Sequence, residues 1–291
     1  MDIFAQAAIT GILLGGVYGL MAMGLSLGFG VMRVVNFAHG EFVLIGMYAV
    51  YFLYTSFGLN PFVGLLVVIP VGLLLGAVFQ RALLQRLIGT GDLRQLLLTL
   101  GLGMIIFSLA QIVFSPSQLS LSGFIWGSEL VQWGPLFIRP AHVVGFIIAL
   151  AASIGLTLLL RQTDLGRRMR ATVDDATMAE SSGVRSKRIY IVAMALGSAM
   201  ALIAGGIIMT FQPVSPNIGS QFLVLAFVAV VLGGLGNVIG AFVGGLVAGV
   251  VQQLTAQYVA VGLQDVGLFV LFIAVLIFRP YGLFGRKELA A

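Results

Sequence analysis

The chain is expected to fold as an all-α integral membrane protein, a polytopic bundle of about eight to nine membrane segments. Of its 291 residues 60% are hydrophobic and only 9% are charged, with a mean hydropathy of +1.12. A soluble domain carries about 25% charged residues. The apolar residues come in runs long enough to cross a hydrocarbon core of about 30 Å as helices. Those runs lack strand alternation, so backbone groups in lipid must be satisfied inside helices and not in a β-barrel.

The first run, roughly 4–30, opens with MDIFAQAAIT, which lacks the basic flank of a signal peptide, so it is expected to remain as a span. Further runs cover roughly 41–58, 61–80, 96–115, 141–160, 189–211, 221–235, 238–256 and 264–279. The pair at 221–235 and 238–256 is short and joined by Gly-Gly-Leu-Gly-Asn, so it reads either as two full spans or as a re-entrant pair. Three small-residue ladders at spacing four predict helices whose backbones approach closely: Gly11, Gly15 and Gly19; Gly236, Gly240, Gly244 and Ala248; Gly197, Ala201 and Gly205. The whole of 1–291 is expected to form one transmembrane domain.

Charge sets the expected orientation. Basic residues cluster at Arg33, at Arg81, Arg86 and Arg94, in the segment Arg161 to Arg188, and at Arg279, Arg286 and Lys287. Placing these clusters in the cytosol puts 14 of the 15 basic residues inside and leaves only Arg139 outside. The N-terminus and the 116–140 connection then lie outside, and the C-terminus is cytoplasmic. An even number of crossings must separate the 161–188 segment from the C-terminal tail, which holds for either reading of 221–256. The net charge of +5 is confined to short connections, which argues against a nucleic-acid partner.

Three segments could carry function. Arg33 to Glu41 reads RVVNFAHGE and sets Asn36, His39 and Glu41 close to membrane depth. Ionisable groups there usually face a cavity or a pathway. Equally, Asn36 could cap the next helix with Glu41 in its first turn. Next comes Gly233-Gly234-Leu-Gly236-Asn237-Val-Ile-Gly240, a break tolerated at membrane depth only where it is buried in protein or lines a cavity. Broken helices of this sort expose N-termini that hold carboxylates in many transporters. The third is the polar segment 161–188, with seven basic and four acidic residues. There Met169, Val173, Ala176 and Ala179 recur at helical spacing, which predicts one short amphipathic helix from about Met169 to Ser182, stopped at Gly183. The plain alternative is a solvated loop; the sharper one is a helix that docks into a cytosolic partner.

Enzymatic chemistry is not expected. The chain has no cysteine, His39 and His142 are predicted on different sides, and no HExxH pattern occurs, so no metal site is expected. The Gly-rich stretch does not match GxGxxG, so no nucleotide cofactor is expected either. The only lysines, Lys187 and Lys287, do not stand in GxxxxGK[ST], so an ATP-driven cycle would need separate ATPase chains. A transporter working alone on an ion gradient would need a membrane carboxylate, for which Glu41 and Asp265 are the candidates.

Particular stretches carry a resemblance. The opening GGVYGLMAMGLSLGFGVMRVVNFAHGEFVLIGMY, the loop LGRRMRATVDDATMAESSGVRSKRIY, the segment VVLGGLGNVIGAFVGG and the closing RPYGLFG resemble LivH-type permeases of branched-chain amino acid ABC importers over nearly the whole chain. That resemblance implies a permease subunit of the bacterial inner (plasma) membrane. It also implies a second, LivM-type permease in a heterodimer, two cytosolic ATPase subunits, and a periplasmic or lipid-anchored substrate-binding protein. The loop corresponds to the importers' docking element, whose pattern is Glu-Ala-Ala with a Gly four residues after the last Ala. Here Ala179-Glu180-Ser181-Ser182-Gly183 keeps the Glu and the Gly but not the Ala pair. Ala176, Ala179, Glu180 and Gly183 are therefore the contact candidates. A role of Asn36, His39, Glu41, Gly233, Gly234, Gly236 and Asn237 in substrate passage is a hypothesis from the residues themselves. Urea or short-amide ABC permeases share these motifs and form the nearest alternative.

Overall fold

The computed structural model describes residues 2–133 and 136–285; Arg286 and Lys287 of the basic tail lie outside the described residues. The helices are α1 (Asp2–Met32), α2 (His39–Phe57), α3 (Pro61–Ala82), α4 (Asp92–Phe114), the single turn α5 (Ile125–Ser128), α6 (Pro140–Gln162), α7 (Asp164–Asp174), α8 (Ala176–Ser181), α9 (Ser186–Ile208), α10 (Ile218–Gly233), α11 (Val238–Tyr258) and α12 (Gln264–Phe278). Among the described residues, eight helical segments, those built on α1 to α4, α6, α9, α11 and α12, are long and apolar enough to cross a membrane. α10 has 16 residues, about 24 Å at 1.5 Å per residue, and is shorter than a full crossing.

Local chemistry explains several boundaries. Gly58 ends α2 at φ 64, and Asn60 starts α3 by accepting a hydrogen bond from the Phe62 amide at 3.0 Å, with Pro61 in the first turn. The 116–140 connection, expected as a loop, contains a short hairpin of β1 (Val131–Trp133) and β2 (Leu136–Ile138), with Val131 paired to Ile138.

The core is built on α1 and α9, the most enclosed spans, which are apolar around their whole circumference as suits helices surrounded by helices. They cross where Gly24 meets Gly197; a Cβ on Gly197 would lie 2.6 Å from the Gly24 carbonyl oxygen. α11 runs antiparallel along α1, with Gly11 against Val250, Gly15 against Leu246 and Gly19 against Phe242. α3 runs antiparallel along α9, with Gly72 against Ala199 and Gly76 against Ala195. The expected ladders therefore set helix spacing with two departures: Gly236 lies in the turn before α11 at φ 81, and α11 uses two faces. Gly245 and Gly249 meet α1, whereas Gly240 and Gly244 meet α10.

These pairings reveal a repeat that the sequence reading missed. α1–α2–α3 and α9–α10–α11 are two three-helix units of opposite direction. The first helix of each packs along the third helix of the other. Inverted repeats of this kind are a common transporter plan.

The bundle has two distinct ends. Arg33, Arg81, Arg86, Arg94 and the α7–α8 segment gather at one, the basic end. The β-hairpin and Arg139 stand at the far end. The C-terminal Arg279–Gly285 stretch returns to the basic end. There the Leu283 and Phe284 amides donate to the carbonyls of Leu232 (2.8 Å) and Gly233 (3.2 Å), satisfying acceptors that the end of α10 leaves open.

Candidate functional site

α1 ends with Arg33 in the left-handed region at φ 54, and the chain turns back beside its own helix. By His39 it has climbed to Met21, whose carbonyl lies 3.0 Å from Nε2. A carbonyl can only accept, so Nε2 carries the proton. Met21 to Met32 is about 16 Å of helix at 1.5 Å per residue, so α2 begins near mid-depth. Residues 209–217 turn back in the same way after α9, held by reciprocal 2.8 Å hydrogen bonds between Leu119 and Val214. α10 then begins where Gly219 meets Gly40 so closely that a Cβ on Gly40 would collide with the Gly219 carbonyl. The N-termini of α2 and α10 thus start face to face inside the bundle.

Asn36, His39 and Glu41 are all buried at this joint. Asn36 does not cap α2: its Oδ1 accepts from the Ala38 amide at 3.0 Å, closing the turn ahead of the helix, and its Nδ2 faces the Met194 sulfur at 3.8 Å. Glu41 does sit in the first turn of α2. Its carboxylate lies against Gly219, where a Cβ would be 2.6 Å from Oε2, and Gly103 of α4 flanks its Cγ. Glu41 is 8% exposed, and Oε2 has no hydrogen-bond partner among the described residues. The N-termini of α2 and α10 both favour negative charge here, each by about 0.3–1 kcal/mol at exposed sites and up to about 2 kcal/mol where partly buried. What the joint offers is a buried acceptor held by two helix dipoles.

Gly233, Gly234, Gly236 and Asn237 do not join this cluster. They form the turn between α10 and α11 at the basic end, where Asn237 Oδ1 caps α11 through the Gly240 amide (2.9 Å) and Nδ2 donates to the Phe284 carbonyl (3.1 Å). Gly236 and Asn237 line a cavity of about 580 Å³, together with Gly30, Ser26, Arg161 and Arg170. The break therefore packs in part against the tail, through the buried Gly233 and Gly234, and lines a cavity at the basic end.

The polar segment forms two helices, not the expected single one. Asp175 takes an extended backbone (φ −155, ψ 108) and its carboxylate accepts from the Thr177 and Met178 amides at 2.8 and 2.9 Å, which starts α8 afresh. Such side-chain to backbone bonding competes with a continuous helix. Thr163 caps α7, and the Arg167 guanidinium, hydrogen-bonded to Asp164, holds that carboxyl below its usual range. Gly183 is the stop, at φ 85. Of the docking candidates, Glu180 and Gly183 are exposed, Ala176 is half-buried and Ala179 packs inward. The apolar group that α8 presents is Met178, 71% exposed, which the sequence reading passed over. Its signal lay in its place beside Ala179 on a helix whose alanine face turns inward.

An inverted pair of helical units whose second helices begin face to face inside an apolar bundle is a plan common among polytopic membrane transport proteins. The chain belongs to the family described as branched-chain amino acid transport system, permease component, which matches residues 7–278. It is similar to the high-affinity branched-chain amino acid transport system permease protein LivH of Escherichia coli K12, at 29% identity over 98% of this chain and 96% of that one. It is also similar to the permease protein BraD of Pseudomonas aeruginosa, at 28% identity over 98% and 97%. A probable branched-chain amino acid transport permease, LivH of Methanocaldococcus jannaschii, is 28% identical over 91% and 88%. No solved structure matches the chain. The chain is thus a multi-pass transport permease subunit of the inner membrane.

Proposed function

We propose that this chain forms, with a LivM-type partner, the membrane path of an ATP-driven importer of branched-chain amino acids. The observation that carries the substrate is the near-full-length similarity to LivH and BraD, whose names give branched-chain amino acids as cargo. In this reading the basic end faces the cytosol, as the positive-inside rule favours. Two ATPase subunits engage the α7–α8 segment, and an external binding protein delivers substrate to the far end. Met178 is the group that enters an ATPase groove, with Glu180 beside it; Gly183 sets the turn that holds α8 in place. ATP would bias the joint between the two units by binding one arrangement better than the other. Asn36, His39 and Glu41 would form the polar step of the path at mid-depth, and the single 1–291 chain would move as one domain.

The test is co-purification and uptake by the reconstituted complex. Met178→Asp and Gly183→Trp are expected to keep membrane insertion while lowering ATPase recovery and leucine uptake at least tenfold. Gly183 has open space for a side chain but a backbone that only glycine adopts readily, so its effect comes through the turn and not through a clash. Unchanged ATPase recovery and uptake in both variants would remove the docking assignment.

A further inference from the structure

The far end of the bundle holds a second cavity, of about 620 Å³. Its walls come from the first half of α1, the end of α11, the start of α12, the start of α10 and the residues around the β-hairpin. A groove facing lipid would be apolar. This one takes six of the chain's glutamines and side chains of both charges. Arg139 is the one basic residue away from the basic clusters, against the general trend of the chain. Asp265 stands in the first turn of α12. Both line the cavity, yet neither is ion-paired with the other or with any other described residue.

The Asp265 carboxylate is held from behind, and the strand that leads into Arg139 is clamped. Asp265 Oδ1 accepts from Gln252 Nε2 at 2.8 Å, which ties the carboxylate to α11. Arg139 follows directly on β2, and Gln6 of α1 clamps that strand: its Oε1 accepts from the Phe137 amide at 2.9 Å and its Nε2 donates to the Phe137 carbonyl. Deeper in, the lining turns apolar, with Leu14, Leu225 and Leu268 buried in the main core. A guanidinium and a carboxylate that share a cavity without neutralising each other suit a ligand carrying both opposite charges. An apolar floor beyond them suits an aliphatic tail.

We propose that this cavity is an intake subsite for the zwitterionic head of an aliphatic α-amino acid. The Arg139 guanidinium takes the α-carboxylate, a geometry that permits paired hydrogen bonds. The Asp265 carboxylate takes the α-ammonium, and the side chain points toward Leu14, Leu225 and Leu268. Gln6 and Gln252 act as positioning residues. The volume falls in the usual range for small-ligand sites, about 300–1,000 Å³, and exceeds one leucine, so water shares the space. The assignment rests on the substrate reading above.

The chain has no cysteine, so Gln253→Cys on the cavity wall gives it a single thiol. The assembled complex, with its partner permease and ATPases, is labelled with a polar maleimide and the label is read on this chain. Leucine should slow labelling at least fivefold; 4-methylpentanoate, which lacks the ammonium, should protect more weakly. Adding Arg139→Gln should abolish protection by both compounds. Adding Asp265→Asn should weaken protection by leucine and leave that by 4-methylpentanoate unchanged. Complex assembly, read as co-purification of this chain with its partner permease and ATPases, serves as the folding control, and neither variant should alter it. A complex that imports leucine but is labelled equally with and without it overturns the subsite and leaves the substrate reading standing. Equal protection by leucine in the Arg139→Gln complex overturns the residue assignment. A wild-type complex that imports no leucine overturns the substrate reading itself, and the subsite with it.

Discussion

At mid-depth the break before α2 and the break before α10 stand face to face, and they bring different things to the joint. The first supplies side chains: Asn36, His39 and Glu41, all buried. The second, through Ser215, Pro216, Asn217 and Gly219, supplies backbone and room. Asn217 makes no side-chain cap on α10, and Gly219 has no Cβ where the Glu41 carboxylate lies. Two unit charges 4 Å apart repel by about 4 kcal/mol at an effective dielectric constant of 20. A carboxylate in both halves would face that cost inside a membrane. An inverted repeat can avoid it by dividing labour, one half carrying the charge and the other offering a helix dipole and space.

The contact between the breaks can be attacked first at Gly40. A Cβ there would strike the Gly219 carbonyl and lie 2.9 Å from the Leu223 amide nitrogen, both backbone atoms of α10. Neither can move without shifting the helix. Gly40→Ala is expected to abolish the folded subunit, read as loss of a monodisperse peak from detergent extracts. Wild-type yield and melting in that variant would mean that the starts of α2 and α10 do not touch.

The spans were legible because hydropathy is a local property. The run expected at 61–80 is α3, Pro61–Ala82, with the cap and proline that start it visible as Asn60-Pro61. The short run at 221–235 is α10. The depth of the breaks was not legible, because the returning stretch Val34-Val35-Asn36-Phe37-Ala38 is itself mostly apolar and hydropathy cannot tell a chain leaving the membrane from one folding back into it. The repeat was hidden for a related reason. Asn36-Phe-Ala-His-Gly-Glu-Phe42 and Asn217-Ile-Gly-Ser-Gln-Phe222 share little more than an Asn, a Gly and a Phe, since the two halves have opposite tasks at the joint. Within the polar segment, helical spacing continued across Asp175, and the capping bonds that divide α7 from α8 outweighed it.

Glu41→Gln tests the charge side of the division. The substitution keeps shape and removes charge, and the buried Oε2 has no hydrogen-bond partner to lose among the described residues. The helix-terminus attraction it gives up is offset by the relief of a buried charge, so stability should change little, whereas leucine uptake by the reconstituted complex should fall about tenfold, equivalent to ~1.4 kcal/mol of barrier. Unaltered uptake would leave Glu41 as a helix-terminus charge without a part in transport.

The smallest expected effect separates room from charge most directly. Gly219→Ala adds one methyl group where the nearest atoms belong to the Glu41 carboxylate, at 2.6 to 2.7 Å. These atoms end a flexible side chain, so the cost should lie near the low end of the 1–3 kcal/mol typical of overpacking, about 1 kcal/mol. If the clash is with Glu41, it should disappear when that side chain is shortened, so Gly219→Ala should cost almost nothing in a Glu41→Ala background. The cycle of two single variants and the double, followed by thermal melting, isolates that coupling. Gly40→Ala should gain nothing from the same background, because what it strikes is backbone. Equal cost of Gly219→Ala in both backgrounds would mean that the space beside α10 is not kept open for Glu41, and the two breaks would then differ only in composition.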